Sequence, residues 1–184
     1  MGRLWSPIAA VTSHWQGKSN AQIAVAIAAA SIVPDMPRVL LQIYKTNYSH
    51  DLIYNSGSFA LNFLRQDQLE LINDFGLVSG RDRDKLLGVA HAPRATGSPV
   101  LDDCWGFLDC RVVNAMDGGD MTCFLGDVLD GEALSQAEPL YWRDARREIP
   151  AAWNEEWDRK ISGEIEVSKR RMPNLDFKPW QPKG

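Results

Sequence analysis

Three cysteines are all this 184-residue sequence carries, Cys104, Cys110 and Cys123, an odd set without C-x-x-C spacing, which excludes a zinc ribbon or a disulfide framework. Read on one strand, Cys104 and Cys110 stand roughly 20 Å apart, beyond disulfide reach, so buried free thiols are expected. Histidine is as scarce: His14, His50 and His91 are scattered, and no metal site is expected. Long hydrophobic runs are missing too. The longest, Ile23 to Ala30, falls short of the ~20 residues a membrane helix needs, and no charged leader precedes a hydrophobic stretch at the N-terminus. No membrane association and a cytoplasmic location are the expectations. Charge of one sign is not in excess either: 20 Lys+Arg against 24 Asp+Glu give a net charge of -4 with no basic block, which argues against nucleic acid as a partner.

Several catalytic signatures are absent as well. Gly17-Lys18-Ser19 resembles the end of a phosphate-binding loop, but the position that needs its first glycine is Thr12. No G-x-S-x-G elbow, G-x-G-x-x-G fingerprint or H-E-x-x-H helix occurs, so hydrolase, dinucleotide-fold dehydrogenase and zinc-protease readings have no support.

What is present is an ordinary globular composition, 45% hydrophobic and 24% charged, at a length that suits one core. Short apolar runs alternate with turn residues. Strands are predicted at Ile8 to Ser13, Ala21 to Ala30, Arg38 to Tyr44 and Ser58 to Leu64, and at Cys104 to Ala115 returning through the 117–120 turn into Met121 to Leu129. In the Ala21 to Ala30 stretch, Ile23, Val25 and Ile27 alternate with small residues, predicting one core face and one flat face lined by Ala24, Ala26 and Ala28. Helices are predicted from about Ser49 to Asn55, stopped by Gly57, from Asp67 to Phe75, stopped by Gly76, and at Arg81 to Val89. From Ala151 to Met172 the pattern is helical, with Trp153, Trp157, Ile161 and Ile165 on one stripe and Gly163 leaving one bent helix or two as alternatives. A proline-bearing tail follows.

Five stretches in order resemble the flavin-reductase-like FMN-binding split barrels: 8–13 (IAAVTS) with a turn to Asn20-Ala21; 38–53 (RVLLQIYKTNYSHDLI); 57–64 (GSFALNFL); 108–113 (LDCRVV); and 119–128 (GDMTCFLGDV). The resemblance spans roughly residues 1 to 135. It implies an α+β fold, a split β-barrel over residues 1–140 with a helical C-terminal extension at 141–184, acting as a homodimer. It also implies a flavin, FMN before FAD, whose ring lies on the strand after Asn20 and whose phosphate lies near the loop before the short helix.

The residue chemistry agrees with that placement. Asn20 and Gln22 offer amides that both donate and accept, as a pyrimidine edge requires, while Ala21 and Ala24 leave the wall flat; Thr12 and Ser13 supply hydroxyls nearby. Lys45, Asn47, Ser49 and His50 gather at a helix start, where free N–H groups and a cation suit a phosphate. The same residues serve equally as turn, capping and strand-surface groups. The resemblance implies hydride transfer from NAD(P)H to flavin, with no catalytic acid or base required. One departure is Met121, where family members often have histidine. It keeps two alternatives open: an electron-transfer flavoprotein serving an acceptor protein without oxidising NAD(P)H, and oxidation of an organic substrate under the C-terminal segment.

Overall fold

The computed structural model describes residues 7–183. Its centre is one seven-stranded antiparallel sheet with the order β2-β1-β5-β8-β9-β4-β3, where β1 is Ala9–Trp15, β2 Lys18–Ala24, β3 Ile27–Ala29, β4 Arg38–Tyr44, β5 Ser58–Phe63, β8 Gly106–Asp117 and β9 Met121–Ala133. A separate hairpin pairs β6 (His91–Pro93) with β7 (Pro99–Leu101). The helices are α1 (Tyr48–Ser56), α2 (Glu70–Ile72) running into a π-helical stretch at Asn73–Leu77, α3 (Trp142–Glu148) and α4 (Ala151–Arg171).

The edge strands β2 and β3 are neighbours in the chain but opposite ends of the sheet. The predicted strand Ala21 to Ala30 is therefore two strands, broken at Val25 and Ala26, because β2 pairs with β1 whereas β3 pairs with β4. The sheet curls until its two edges face each other, and Val25–Ala26 crosses the split, tied by the Gln42 N–H donating to the Ala26 carbonyl at 3.0 Å. This is a split half-barrel with helices over it, the α+β fold expected.

Period-two alternation in the strands feeds two cores. Ala9 and Val11 join Leu41, Ile43, Phe59, Leu61 and Phe124 inside the barrel. Ala10 and Ile23 face outward and pack with Leu64, Ile72, Phe75 and Leu140 beneath the helices. Ile23, Val25 and Ile27 consequently do not share one face: Ile23 and Val25 pack on the outer core, Ile27 on the inner one. At the crossing of β8 and β9, a Cβ on Gly106 would stand 2.7 Å from the Glu132 carbonyl oxygen and 3.1 Å from Ala133 Cα. Backbone cannot yield there as a side chain does, so Gly106→Ala is expected to cost about 1–3 kcal/mol, read as a lower denaturant midpoint.

Two predicted helix features differ, and the Ala151 to Met172 region takes one of its two alternatives, a single helix. Arg81 to Val89 is a chain of turns, because its own side chains compete for the backbone: Ser79 Oγ accepts from the Arg81 N–H at 3.2 Å, and Asp84 Oδ1 from the Leu86 N–H at 2.9 Å. Gly76 does not end a helix but sits within the π-helical stretch, where a Cβ would collide with the Trp157 ring. Helix α4 runs unbroken through Gly163. Gly57 does stop α1, at φ 72° with its N–H on the Ile53 carbonyl at 2.9 Å. No helix among the described residues is long and apolar enough to cross a membrane.

Candidate functional site

A cleft of about 410 Å³ opens at the barrel split. One wall is β2 and the crossing, with Asn20, Gln22, Ala24 and Ala26; the 75–85 segment, with Gly80, Arg81 and Lys85, packs against β2 and continues the lining, as do Thr46, Asn47 and Tyr48. Its roof is α3 and α4. Trp142 and Trp157 pack with their rings tilted at 49° and their centroids 4.7 Å apart, and Lys160, Ile161 and Glu164 of α4 also line the cleft. Helix α4 is strapped down through two glycines, Gly76 beneath Trp157 and Gly119, where a Cβ would be 2.7 Å from the Met172 carbonyl oxygen.

Four of the ten residues expected at a flavin line this cleft: Asn20, Gln22, Ala24 and Asn47. Two more stand behind it. Ser49 accepts from Asn20 Nδ2 at 2.8 Å and so positions that amide, and the Ala21 carbonyl accepts from Lys85 Nζ at 3.0 Å. The other four do not line it. The Thr12 hydroxyl is engaged in the interior with the carbonyls of Pro99 and Ala60, beside Asn62 Nδ2 at 3.1 Å. Ser13 is fully buried with no partner for its hydroxyl among the described residues. His50 Nε2 faces Thr122 Oγ1 at 2.8 Å, and burial holds its pKa below the ordinary value against the pull of Asp51, so it is no cation at neutral pH. Lys45 Nζ is bonded to Asp117 at 2.5 Å, bracing the β8–β9 turn; although burial raises the Asp117 carboxyl, Lys45 and the Gly119 and Asp176 N–H groups hold it low overall.

The cation at the start of α1 is instead Arg81. Its guanidinium donates to the Thr46 carbonyl at 3.1 Å and to Asp51 at 2.7 Å, and lies 5.2 Å from the centre of the Tyr48 ring. Residues 79–85 (SGRDRDK) carry the only signal that pointed there, and a helical reading of them concealed it.

Two polar atoms in the cleft walls are buried and unpartnered among the described residues: Asn20 Oδ1 and Thr46 Oγ1. Asn47, the residue before α1, is extended and makes no side-chain capping bond, so no cap side chain satisfies the first-turn N–H groups. An orphaned amide oxygen and an orphaned hydroxyl, a flat small-residue strand and an uncapped helix start beside an arginine suit a planar, polar-edged molecule ending in an anion.

The sequence pattern of the flavin reductase like domain matches residues 1–150. The chain belongs to that family. Helix α4 lies beyond the matched stretch. Among curated members, the high molecular weight rubredoxin of Moorella thermoacetica is 30% identical over 142 residues, 74% of this chain; the chain spans only 61% of that protein's length. The ferric-chelate reductase (NAD(P)H) of Archaeoglobus fulgidus is 31% identical over 136 residues, covering 73% of this chain and 79% of that protein. Among solved structures, nitrilotriacetate monooxygenase component B from Mycobacterium thermoresistibile superposes with a TM-score of 0.67 at 29% identity, covering 76% of each chain. The cleft thus opens at the split of a flavin-reductase-like barrel.

Proposed function

We propose that this chain is an NAD(P)H:flavin oxidoreductase that holds FMN in the cleft and passes electrons to a partner protein. The observation that carries the reading is the pair of orphaned wall atoms, Asn20 Oδ1 and Thr46 Oγ1, in a cleft that also carries the small residues Ala24 and Ala26. Asn20 and Gln22 would hold the polar edge of the ring, and Thr46, Asn47 and Arg81 the phosphate. FMN is favoured over FAD because, among the described residues, the uncapped start of α1 with Arg81 provides for one anionic end. When bound, the flavin supplies the two-electron chemistry; the chain orients it, fixes its edge and, through Trp157 and the α4 roof, limits water. Two relatives are named as a reductase and as one component of a monooxygenase, which supports an acceptor protein as partner.

A homodimer fits this reading, since Val113, Met116 and Leu129 are exposed on β8 and β9. Light scattering should then give about twice 20.6 kDa. Cytoplasmic residence fits three cysteines that are all free.

Saturable FMN binding, seen as fluorescence quenching and a higher melting temperature, is the expected result. A protein showing neither with excess FMN overturns the reading. Met121 lines the cleft and cannot donate a hydrogen bond to a nicotinamide, and it favours the second reading of an electron carrier. Slow bleaching of bound FMN by NADH is expected, accelerated in Met121→His. No bleaching over hours, with ready reduction by dithionite, would select the carrier.

A further inference from the structure

Lys85 is a buried amine, 7% exposed, in the wall of the cleft. Its Nζ donates to the Phe75 carbonyl at 2.7 Å and to the Ala21 carbonyl at 3.0 Å. A neutral amine has two N–H groups, and these two carbonyls accept both, leaving the lone pair. The ammonium adds a third N–H and a full charge, for which the described residues offer neither acceptor nor carboxylate. The charges that face Lys85 are both positive: Lys160 from α4 and Arg83 from its own segment. Arg83 is itself paired with Asp74 at 3.0 Å, and the nearby Glu164 acts on Lys160. Burial first, then these two cations, bring Lys85 down to about 7. The amine is therefore poised between its two forms and short of one thing, a negative charge in the cleft.

We propose that Lys85 is the proton acceptor that answers the charge of the reduced flavin ring, holding the reduced cofactor more tightly than the oxidised one. This rests on the flavin reading above. Through the Ala21 carbonyl, Lys85 is tied to β2 between Asn20 and Gln22, where the ring is placed. A reduced nicotinamide gives up two electrons and one proton as hydride and leaves oxidised; the ring gains that hydride and one negative charge. The Lys85 amine takes one proton from solvent, and the only new bond on the protein is its third N–H.

The unmodified protein tests this without any substitution. Between about pH 7.5 and 9, the midpoint potential of bound FMN should fall by about 60 mV per pH unit, an uptake of two protons for two electrons, one on the ring and one on Lys85; about 30 mV per unit, an uptake of one, overturns the proposal. In Lys85→Met the uptake should fall to one, and affinity for reduced over oxidised FMN should drop at least tenfold, about 30 mV more negative for a two-electron couple. Lys85→Gln repeats the test should the methionine variant fold poorly. An unchanged potential, or a loss of affinity confined to FMN over riboflavin, which would assign Lys85 to the phosphate, refutes the role. Absence of flavin binding in the unmodified protein overturns both this and the function, whereas binding with an unchanged potential overturns this alone.

Flavin-free protein gives an independent readout. A lysine with a lowered folded-state pKa binds fewer protons folded than unfolded between about 7 and its ordinary value. Its destabilising effect is therefore complete below about pH 7 and fades as pH rises. Lys85→Met should raise the melting temperature of flavin-free protein at pH 6, with the gain disappearing towards pH 10; a variant less stable at every pH would make Lys85 a structural brace and sink the proposal.

Discussion

Arg81→Ala is expected to weaken FMN by roughly 10- to 150-fold while leaving riboflavin within about twofold, the range set by one charge-assisted hydrogen bond of about 1.5–3 kcal/mol. The guanidinium has five donors, of which one reaches the Thr46 carbonyl and one Asp51, so several remain for a phosphate at the uncapped start of α1. Lys45→Ala is the control. Its ammonium is held by Asp117, so its loss should lower stability at the β8–β9 turn more than FMN affinity. Asp51→Asn works in the opposite direction: it removes the carboxylate that competes for Arg81, and FMN should bind more tightly with riboflavin unchanged. Paired FMN and riboflavin titrations on the three variants decide the matter. Equal losses for both ligands in Arg81→Ala would mean that the arginine serves the fold and that the phosphate lies elsewhere.

Gly80→Ala is expected to reduce FMN and riboflavin binding alike. A Cβ at that position would stand 2.6 Å from Asn20 Cγ and overlap Oδ1, so the amide must leave its place and lose its 2.8 Å bond to Ser49. Asn20 is 2% exposed and has little room to move except into the cleft. Loss of a positioned amide and partial filling of the site together correspond to about 1–3 kcal/mol of binding. Because the obstructing atom belongs to one side chain, Asn20→Ala in the Gly80→Ala background should recover most of any lost stability without recovering affinity, a non-additive pair in a double-mutant cycle. Full affinity in Gly80→Ala would show that Asn20 does not hold the ring edge.

Helix α4 lies outside the matched 1–150 stretch, yet Trp157, Lys160, Ile161 and Glu164 face the cleft. Burial raises the Glu164 carboxyl and lowers the Lys160 ammonium, each partly offset by the other. A second ligand stacking on the flavin would meet this mixed-charge, tryptophan-lined face.

Local pattern by itself determined β4, β5, the β8–β9 hairpin, α1 with its glycine stop and the long C-terminal helix, since each depends on periodicity or on a residue's own backbone preference within a few positions. It also sufficed for the family, through five stretches in order, and for Asn20 and Gln22 as amides on a strand. The tertiary structure alone decided three matters. The strand Ala21 to Ala30 had to break at Val25–Ala26 because its halves pair with β1 and β4, a choice made by the curling of the whole sheet. The cation at the helix start is Arg81 and not Lys45, because Asp117, 72 residues away, claims the lysine. Lys85 became a buried amine because two carbonyls, one of them 64 residues earlier in the chain, converge on it. Each is a competition between partners far apart in sequence, and such competitions are resolved only when the chain closes and desolvation makes one pairing better than the rest.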